Sequence, residues 1–299
     1  MATNRELIAG AGDGSQAAFL PTIWAKDTRD AIEFEEVLPQ LVNTKYEEEL
    51  RVGRSVQIPL RSNMETQTKT EGFGNTVNFQ AVTEDSQTIT VSTQQYAAAL
   101  LNEVVEAQSN YDERQRISHA MGYSLMRGVE VSLATLFASF SQIVGTLGAD
   151  PDFDVMKRAW QYLADAGVSA NASWVLGPAA IAALFGNDKF TSTDFVSGAS
   201  VIQTAKLTTV FGYPVYRDNL LVAPAAGQTN CGLFHKEAII LIRQIKPTVR
   251  EQYQIRNLAD GLVAFDLYNA TEAVWMAEAP AVDSPATQGD FGAVLIRTS

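Results

Sequence analysis

Apolar residues recur every three or four positions from Ile117 through Met121, Leu125, Val129, Leu133 and Leu136 to Phe140. That spacing lines up side chains on one face of a helix. No proline interrupts the run, and Asn110 with Glu113 three residues on resembles a capping box, with Asn in place of Ser or Thr. The pattern predicts one helix from the Asn110 cap through Phe140, a rod of roughly 45 Å at about 1.5 Å per residue. Such a rod is more than twice the length of a mean helix of about 11–12 residues. A one-sided helix of that length is a structural beam.

Elsewhere the period shortens to two. Val56, Ile58 and Leu60 alternate in "SVQIPL", Val77 and Phe79 in "TVNFQAV", and Ile89 and Val91 in "SQTITVS"; each reads as a strand. Between Arg61 and Gly72 the only large apolar residue is Met64, so a hairpin here cannot build its own core. Within it, "TEGFGNTVNF" (Thr70 to Phe79) carries Gly72 and Gly74 but no third glycine and no Gly-Lys-Ser/Thr ending. That excludes the phosphate-binding fingerprints and predicts a turn near the tip of a β-arm.

Before the hairpin, residues 1–21 are small and polar and read as a flexible arm, and "TIWAKDTRDAIEFEEVLPQL" reads as a short acidic helix ending near Pro39. After the beam, a second helix starts at Asp152, shows Phe153, Met156, Trp160 and Leu163, and stops at Gly167. "SWVLG" reads as a short buried strand, and Pro178 opens a small helix that Gly186 ends. Residues 187–206 are polar and irregular. Strand patterns return in "LTTVFGYPVYRDNLL", "AIILIRQI", "TVREQYQIR" and "LVAFDLYNATEAVWM". Long strands following long helices predict an α+β fold.

Composition narrows the function. With 299 residues, 46% of them apolar, the chain can build a sizeable core and two domains. It has no run of about 18 apolar residues for a membrane span, and its N-terminus lacks the basic-then-apolar pattern of a secretory signal. A single cysteine, Cys231, excludes an internal disulfide and is expected to be buried and structural. The net charge is −12, from 22 basic and 34 acidic residues. Proteins that grip DNA electrostatically cluster Lys and Arg, so nucleic-acid reading is excluded, whereas proximity to DNA without adhesion is allowed. Residues 1–50 hold four basic and ten acidic side chains, a net of −6. Residues 236–256 carry Lys236, Arg243, Lys246, Arg250 and Arg256 against Glu237 and Glu251. The expectation is that arm and strand meet, within or between subunits, through Glu35, Glu36 and Glu47 on one side and Arg243, Lys246 and Arg250 on the other.

No active site is legible. His119 lies on the beam, and His235 has no nucleophile elbow or second carboxylate–histidine pattern beside it. "DPDFD" (Asp150 to Asp154) opens like a calcium loop, but Val155 and Gln161 stand where Gly and Glu are required. No catalytic residue, metal or cofactor is expected, and the chain does not read as an enzyme.

The order of elements carries a resemblance. "LVNTKYEEELRVGRSVQIP" (Leu41 to Pro59), then a long arm, then "QTITVSTQQYAAALLNEVVEAQSN" leading into a long helix, resembles the front half of tailed-bacteriophage major capsid proteins. "SWVLGPAAIAALF", "FGYPVYRDNLL" and "LYNATEAVWMAE" are similar to the rear half of that family. The resemblance implies the Hong Kong 97-like capsid fold, shared with encapsulins. Its parts would be an N-terminal arm (1–50), an extended loop (51–95), a peripheral domain with the spine helix (96–149 and 236–271) and an axial domain (150–235 and 272–299). It places Lys69, Gly72, Phe73, Gly74, Val77 and Phe79 in a loop that lies over an adjacent subunit.

The implied function is structural: pentamers and hexamers closing an icosahedral shell around double-stranded DNA held without sequence-specific contacts. Implied partners are a portal and a separate scaffolding protein, with no membrane. The implied location is the virion capsid, assembled in the host cytoplasm. The rival within the fold is an encapsulin-type compartment for cargo protein. From another class, a cytosolic enzyme would need a convergent polar pocket with perturbed titrating groups.

Overall fold

The computed structural model describes residues 36–62, 64, 66–69, 71, 77, 79, 82, 84–103, 113–168, 170–187, 209–221, 225, 228–276, 288–289 and 292–298. Its beam is a helix over Glu113–Leu136 that closes with one 3-10 turn, Phe137–Ser139. The proposed cap at Asn110 lies outside the described residues. The end differs from the sequence expectation. Phe140 is not on the helix: its backbone turns to φ −57°, ψ 131°, and Gln142–Val144 is a strand. Phe140 keeps the apolar period because it folds back into the core, where its ring lies 5.4 Å from that of Phe137.

The helix rests on two different supports. Its first half, through Ile117, Met121 and Leu125, packs on Ala97, Ala99, Leu262 and Ala264. These belong to a three-stranded antiparallel sheet in the order Thr93–Asn102, Ala259–Glu272, Ile239–Gln254. The alanines let the helix approach closely. Arg114 ties the start of the helix to the sheet through Glu251 at 2.6 Å and Asp260 at 2.5 Å. The second half, through Val129, Leu133, Ala134 and Phe137, packs with Leu38, Val42, Val175, Phe234 and Leu295.

Those last residues lead to a six-stranded mixed sheet. We number the strands β1 (Ser55–Arg61), β2 (Glu84–Thr90), β3 (Thr93–Asn102), β4 (Gln142–Val144), β5 (Ala172–Leu176), β6 (Thr209–Val210), β7 (Tyr213–Arg217), β8 (Thr229–His235), β9 (Ile239–Gln254), β10 (Ala259–Glu272), β11 (Trp275–Met276), β12 (Gln288–Gly289) and β13 (Ala293–Thr298). The six-stranded sheet runs β4-β13-β8-β5-β7-β6. Both of its faces are covered, which suits the near-continuous apolar runs of β5, β8 and β13. One face packs on the helix Phe153–Asp165, through Met156, Ala159 and Leu163. Asp152 caps that helix, its carboxylate accepting the Phe153 N–H. The other face meets Phe137, whose ring sits where a Cβ at Gly232 would come within 3.2 Å. Gly145 has φ +84°, and a Cβ there would lie 2.5 Å from the Arg297 carbonyl, so only glycine fits. Helix Pro178–Phe185 begins at its proline and ends at Gly186, as its sequence predicts.

Three further expectations change. "AIILIRQI" and "TVREQYQIR" are one strand, β9, rather than two. Phe265 pairs with Thr248 and Leu267 with Ile245, so the register shifts where Lys246 and Pro247 face Asp266. A proline is tolerated at such a bulge on an edge strand because no ladder donor is lost. Pro39 sits in the first turn of a short helix, Leu38–Leu41, while most of the acidic helix expected before it lies outside the described residues. In "TVNFQAV" the described residues Val77, Phe79 and Val82 belong to no strand.

Candidate assembly surfaces

β1 and β2 form a hairpin paired from Ser55↔Thr90 to Arg61↔Glu84. Alternation gives it one apolar face, yet only its base is covered: Ile58 and Ile89 join Leu50, Val91, Ile240, Ile242 and Ala273 in one cluster. Gln87 fastens that base, donating to the Glu272 carbonyl at 2.8 Å and accepting from the Val274 N–H at 3.1 Å. Sequence reasoning missed Gln87, because a polar residue in an alternating strand reads as solvent-facing. Beyond the paired segment, Met64, Val77 and Phe79 are 63%, 61% and 92% exposed, and Lys69 is exposed as well. Gly72, Phe73 and Gly74 lie outside the described residues. Large apolar side chains this exposed gain little burial from their own subunit.

The second surface is where residues 36–50 meet β9 and the long helix. Asn43 bridges to Ile240 on the edge of β9: its N–H donates to the Ile239 carbonyl and its carbonyl accepts from the Leu241 N–H, both at 2.9 Å. Around this bridge Glu36, Glu47, Arg243 and Lys246 line one cleft. Burial raises the Glu47 carboxyl above its ordinary value, and Arg243 and Lys246 oppose that shift. Lys45 pairs with Glu237 at 2.7 Å. Of the candidate charged residues, then, the subunit itself brings together Glu36, Glu47, Arg243 and Lys246. Arg250 lies elsewhere, its guanidinium 5.5 Å from the centre of the Phe265 ring, and Glu35 is outside the described residues.

Sequence reasoning also missed Glu130. It stands beside Val129 in the apolar stripe and is fully buried. Its Oε1 accepts the backbone N–H groups of Val37 and Leu38, both at 3.0 Å, while Oε2 has no partner. Desolvation, the largest influence, raises its carboxyl to about 7 against the pull of the two N–H donors, and the Asp218 and Glu36 carboxylates raise it further. A signal was available: Glu130 is the one acidic residue between Ile117 and Phe137.

The remaining reactive groups have structural surroundings. Cys231 is buried, as expected, with its Sγ accepting the Gly177 N–H at 3.3 Å, and burial pushes the thiol up. His235 Nδ1 accepts the Glu237 N–H at 3.2 Å. Among the described residues no group of three or more His, Cys, Asp or Glu is placed to hold a metal, and no helix is long and apolar enough to cross a membrane.

No family model matches the chain, and no curated protein sequence does. Solved structures do. A structure from Mycobacterium phage Che8 matches with a TM-score of 0.76 at 19% identity, covering 93% of this chain and 97% of that one. The capsid structure of cyanophage P-SCSP1u gives 0.72 at 14% identity, over 100% and 98%. The asymmetric unit of the bacteriophage PhiM1 mature capsid gives 0.71 at 11% identity, over 93% and 92%. The fold is therefore α+β and Hong Kong 97-like, that of tailed-phage capsid structures, over nearly the whole chain.

Proposed function

We propose that this chain is the major capsid protein of a tailed phage, a structural subunit that assembles into an icosahedral shell around double-stranded DNA. The observation that carries the reading is the near-complete coverage of chain and capsid structure by one another, joined to a hairpin whose far end is apolar and uncovered. The mechanism is assembly rather than turnover. Val77 and Phe79 become buried only when a neighbouring subunit lies beneath the hairpin, and Lys69, Gly72, Phe73 and Gly74 belong to the same contact. On this reading the chain divides into arm, extended loop, peripheral domain and axial domain at the boundaries given above. Pentamers and hexamers form the shell, with a portal and a separate scaffolding protein as partners, and assembly takes place in the host cytoplasm before the subunit is part of the virion.

The charge balance suits such a wall. With 34 acidic against 22 basic residues, the shell would confine DNA without the many phosphate contacts that would hold it in place. The encapsulin reading is not favoured, since the matching structures named above come from phages. Electron microscopy and sedimentation of the expressed protein test the proposal. Closed shells, alone or with a co-expressed scaffold, are expected. A stable monomer under both conditions overturns it, and shells that enclose a specific cargo protein instead of DNA would favour the encapsulin reading.

A further inference from the structure

We propose that Glu130 is a proton-operated latch: its proton-bound carboxyl holds residues 36–42 against the long helix, and ionisation loosens them. The latch is a property of the single subunit and does not rest on the capsid reading.

Residues 36–42 are fixed to the body by three kinds of contact: Leu38 and Val42 in the core, the Asn43 bridge to β9, and the two N–H groups on Glu130 Oε1. The third rests on the Glu130 carboxyl. The two N–H donors favour the charge of that carboxyl, and its burial and the other charged groups acting on it oppose it. From the arm segment Glu36 acts on it, and from the turn after β7 Asp218 does, both negatively. Asp218 is itself 1% exposed, with Oδ1 accepting the Leu220 N–H at 2.7 Å and Oδ2 unpartnered. On the helix, Arg127 one turn back is exposed and is not among the groups acting on Glu130. On β9 and β10, Arg243 acts on Glu47, Asp266 and Tyr268. From β8, Cys231 carries no charge in its buried thiol form. An ionised Glu130 is a buried anion: burial is the main influence raising its pKa, and the Asp218 and Glu36 carboxylates add to it.

The sign follows from linkage. With the segment closed the carboxyl titrates at about 7, against 4.5 when solvated, so the closed form binds the proton more tightly. Closure is therefore fully supported below about 4.5, and opening becomes easier as pH rises toward 7 and then levels off. The whole span corresponds to about 300-fold in the opening equilibrium. When protonated, the carboxyl keeps Oε1 as the acceptor for both N–H groups, and Oε2 gains a proton to donate.

The test is hydrogen exchange of the Val37 and Leu38 amides in the full chain, corrected for intrinsic exchange, between pH 5 and pH 8.5. Protection should fall about tenfold per pH unit up to roughly 7 and then flatten, while the β5 amides keep theirs. Glu130→Gln, which keeps the carbonyl acceptor and cannot ionise, should show flat protection at both amides. Asp218→Asn removes one of the two flanking charges and should move the wild-type midpoint to lower pH; this readout stands even if Glu130→Gln folds poorly. Protection at Val37 and Leu38 that is independent of pH in the wild type overturns the latch. So does a slope that persists unchanged in Glu130→Gln.

Discussion

The six-stranded sheet and the β1–β2 hairpin are both built on paired strands, and there the likeness ends. In the sheet, Trp174, Val175, Leu176, Leu233, Phe234, Leu295 and Ile296 are all at 0–1% exposure, with side chains covered on both faces. Among the described hairpin residues Ile58 and Ile89 enter the core and Val56 packs against them, and the ladder ends at Arg61↔Glu84 with an exposed ion pair of 2.8 Å. Backbone pairing gives each region its shape, while apolar burial decides which one stabilises the subunit. A ladder without burial contributes little, because its donors and acceptors would otherwise bond to water. The sheet belongs to folding; the hairpin has surface left over for another purpose.

The sharpest way to break that contrast is Trp174→Ala. Trp174 is fully buried, and its indole N–H donates to the Val210 carbonyl at 3.0 Å. Truncation leaves a large cavity and an unpaired carbonyl, for an expected loss of about 3–5 kcal/mol in denaturant unfolding. A loss below about 1 kcal/mol would mean that the sheet is not where stability resides.

Ile89→Ala comes next, since it probes the one place where the hairpin touches the core. Ile89 is 2% exposed, but its cluster is small and close to the surface, so the cost should sit at the low end of the range for such changes, about 2 kcal/mol. Gln87→Ala should cost about 1–2 kcal/mol, because it removes both part-buried hydrogen bonds that join the hairpin to residues 272–274. The order of the three variants carries the comparison. Were Gln87→Ala to match Trp174→Ala, the hairpin base would be part of the folding core.

How much of this was legible beforehand follows the same division. Where burial and local chemistry agree, the chain declares itself. The helix start at Asp152, the helix from Pro178 to Gly186 and the buried strand read in "SWVLG" all stand within a residue of where the sequence put them. Where a side chain's role depends on a distant partner, pattern misleads. Phe140 keeps the apolar period of the helix although the chain has already turned, because the core it enters is built by Phe137 and residues far away in sequence. Pro247 looks like a break between strands and is instead absorbed by a bulge on an edge. Glu130 and Gln87 drew no reading from the pattern, and only the folded chain shows the backbone groups they hold, more than 90 residues away. The charged cleft was half visible, since composition pointed Glu36 and Glu47 toward Arg243 and Lys246 but could not say that one subunit holds all four.

The smallest expected effect on folding is also the most informative for function. Phe79 is 92% exposed, so Phe79→Ser removes no intramolecular burial, and the stability of the unassembled subunit should stay within about 0.5 kcal/mol of wild type. Replacing Asn63–Thr83 with a short Gly-Ser turn extends the test. It spares the Arg61↔Glu84 end of the ladder, and loop closure depends only weakly on length, so circular dichroism should again report a folded subunit. Both variants should nevertheless lose particles in sedimentation, the deletion completely and Phe79→Ser partly, because the apolar contact that each lacks is one the subunit cannot satisfy alone. The two readouts separate the alternatives. A deletion variant that unfolds would make the distal hairpin part of the subunit's own core, contradicting the exposure of Phe79. One that folds and still builds full-size shells would leave the uncovered apolar surface without a role in assembly. Only a folded subunit that no longer assembles fits a hairpin whose ladder is internal and whose burial comes from a neighbour.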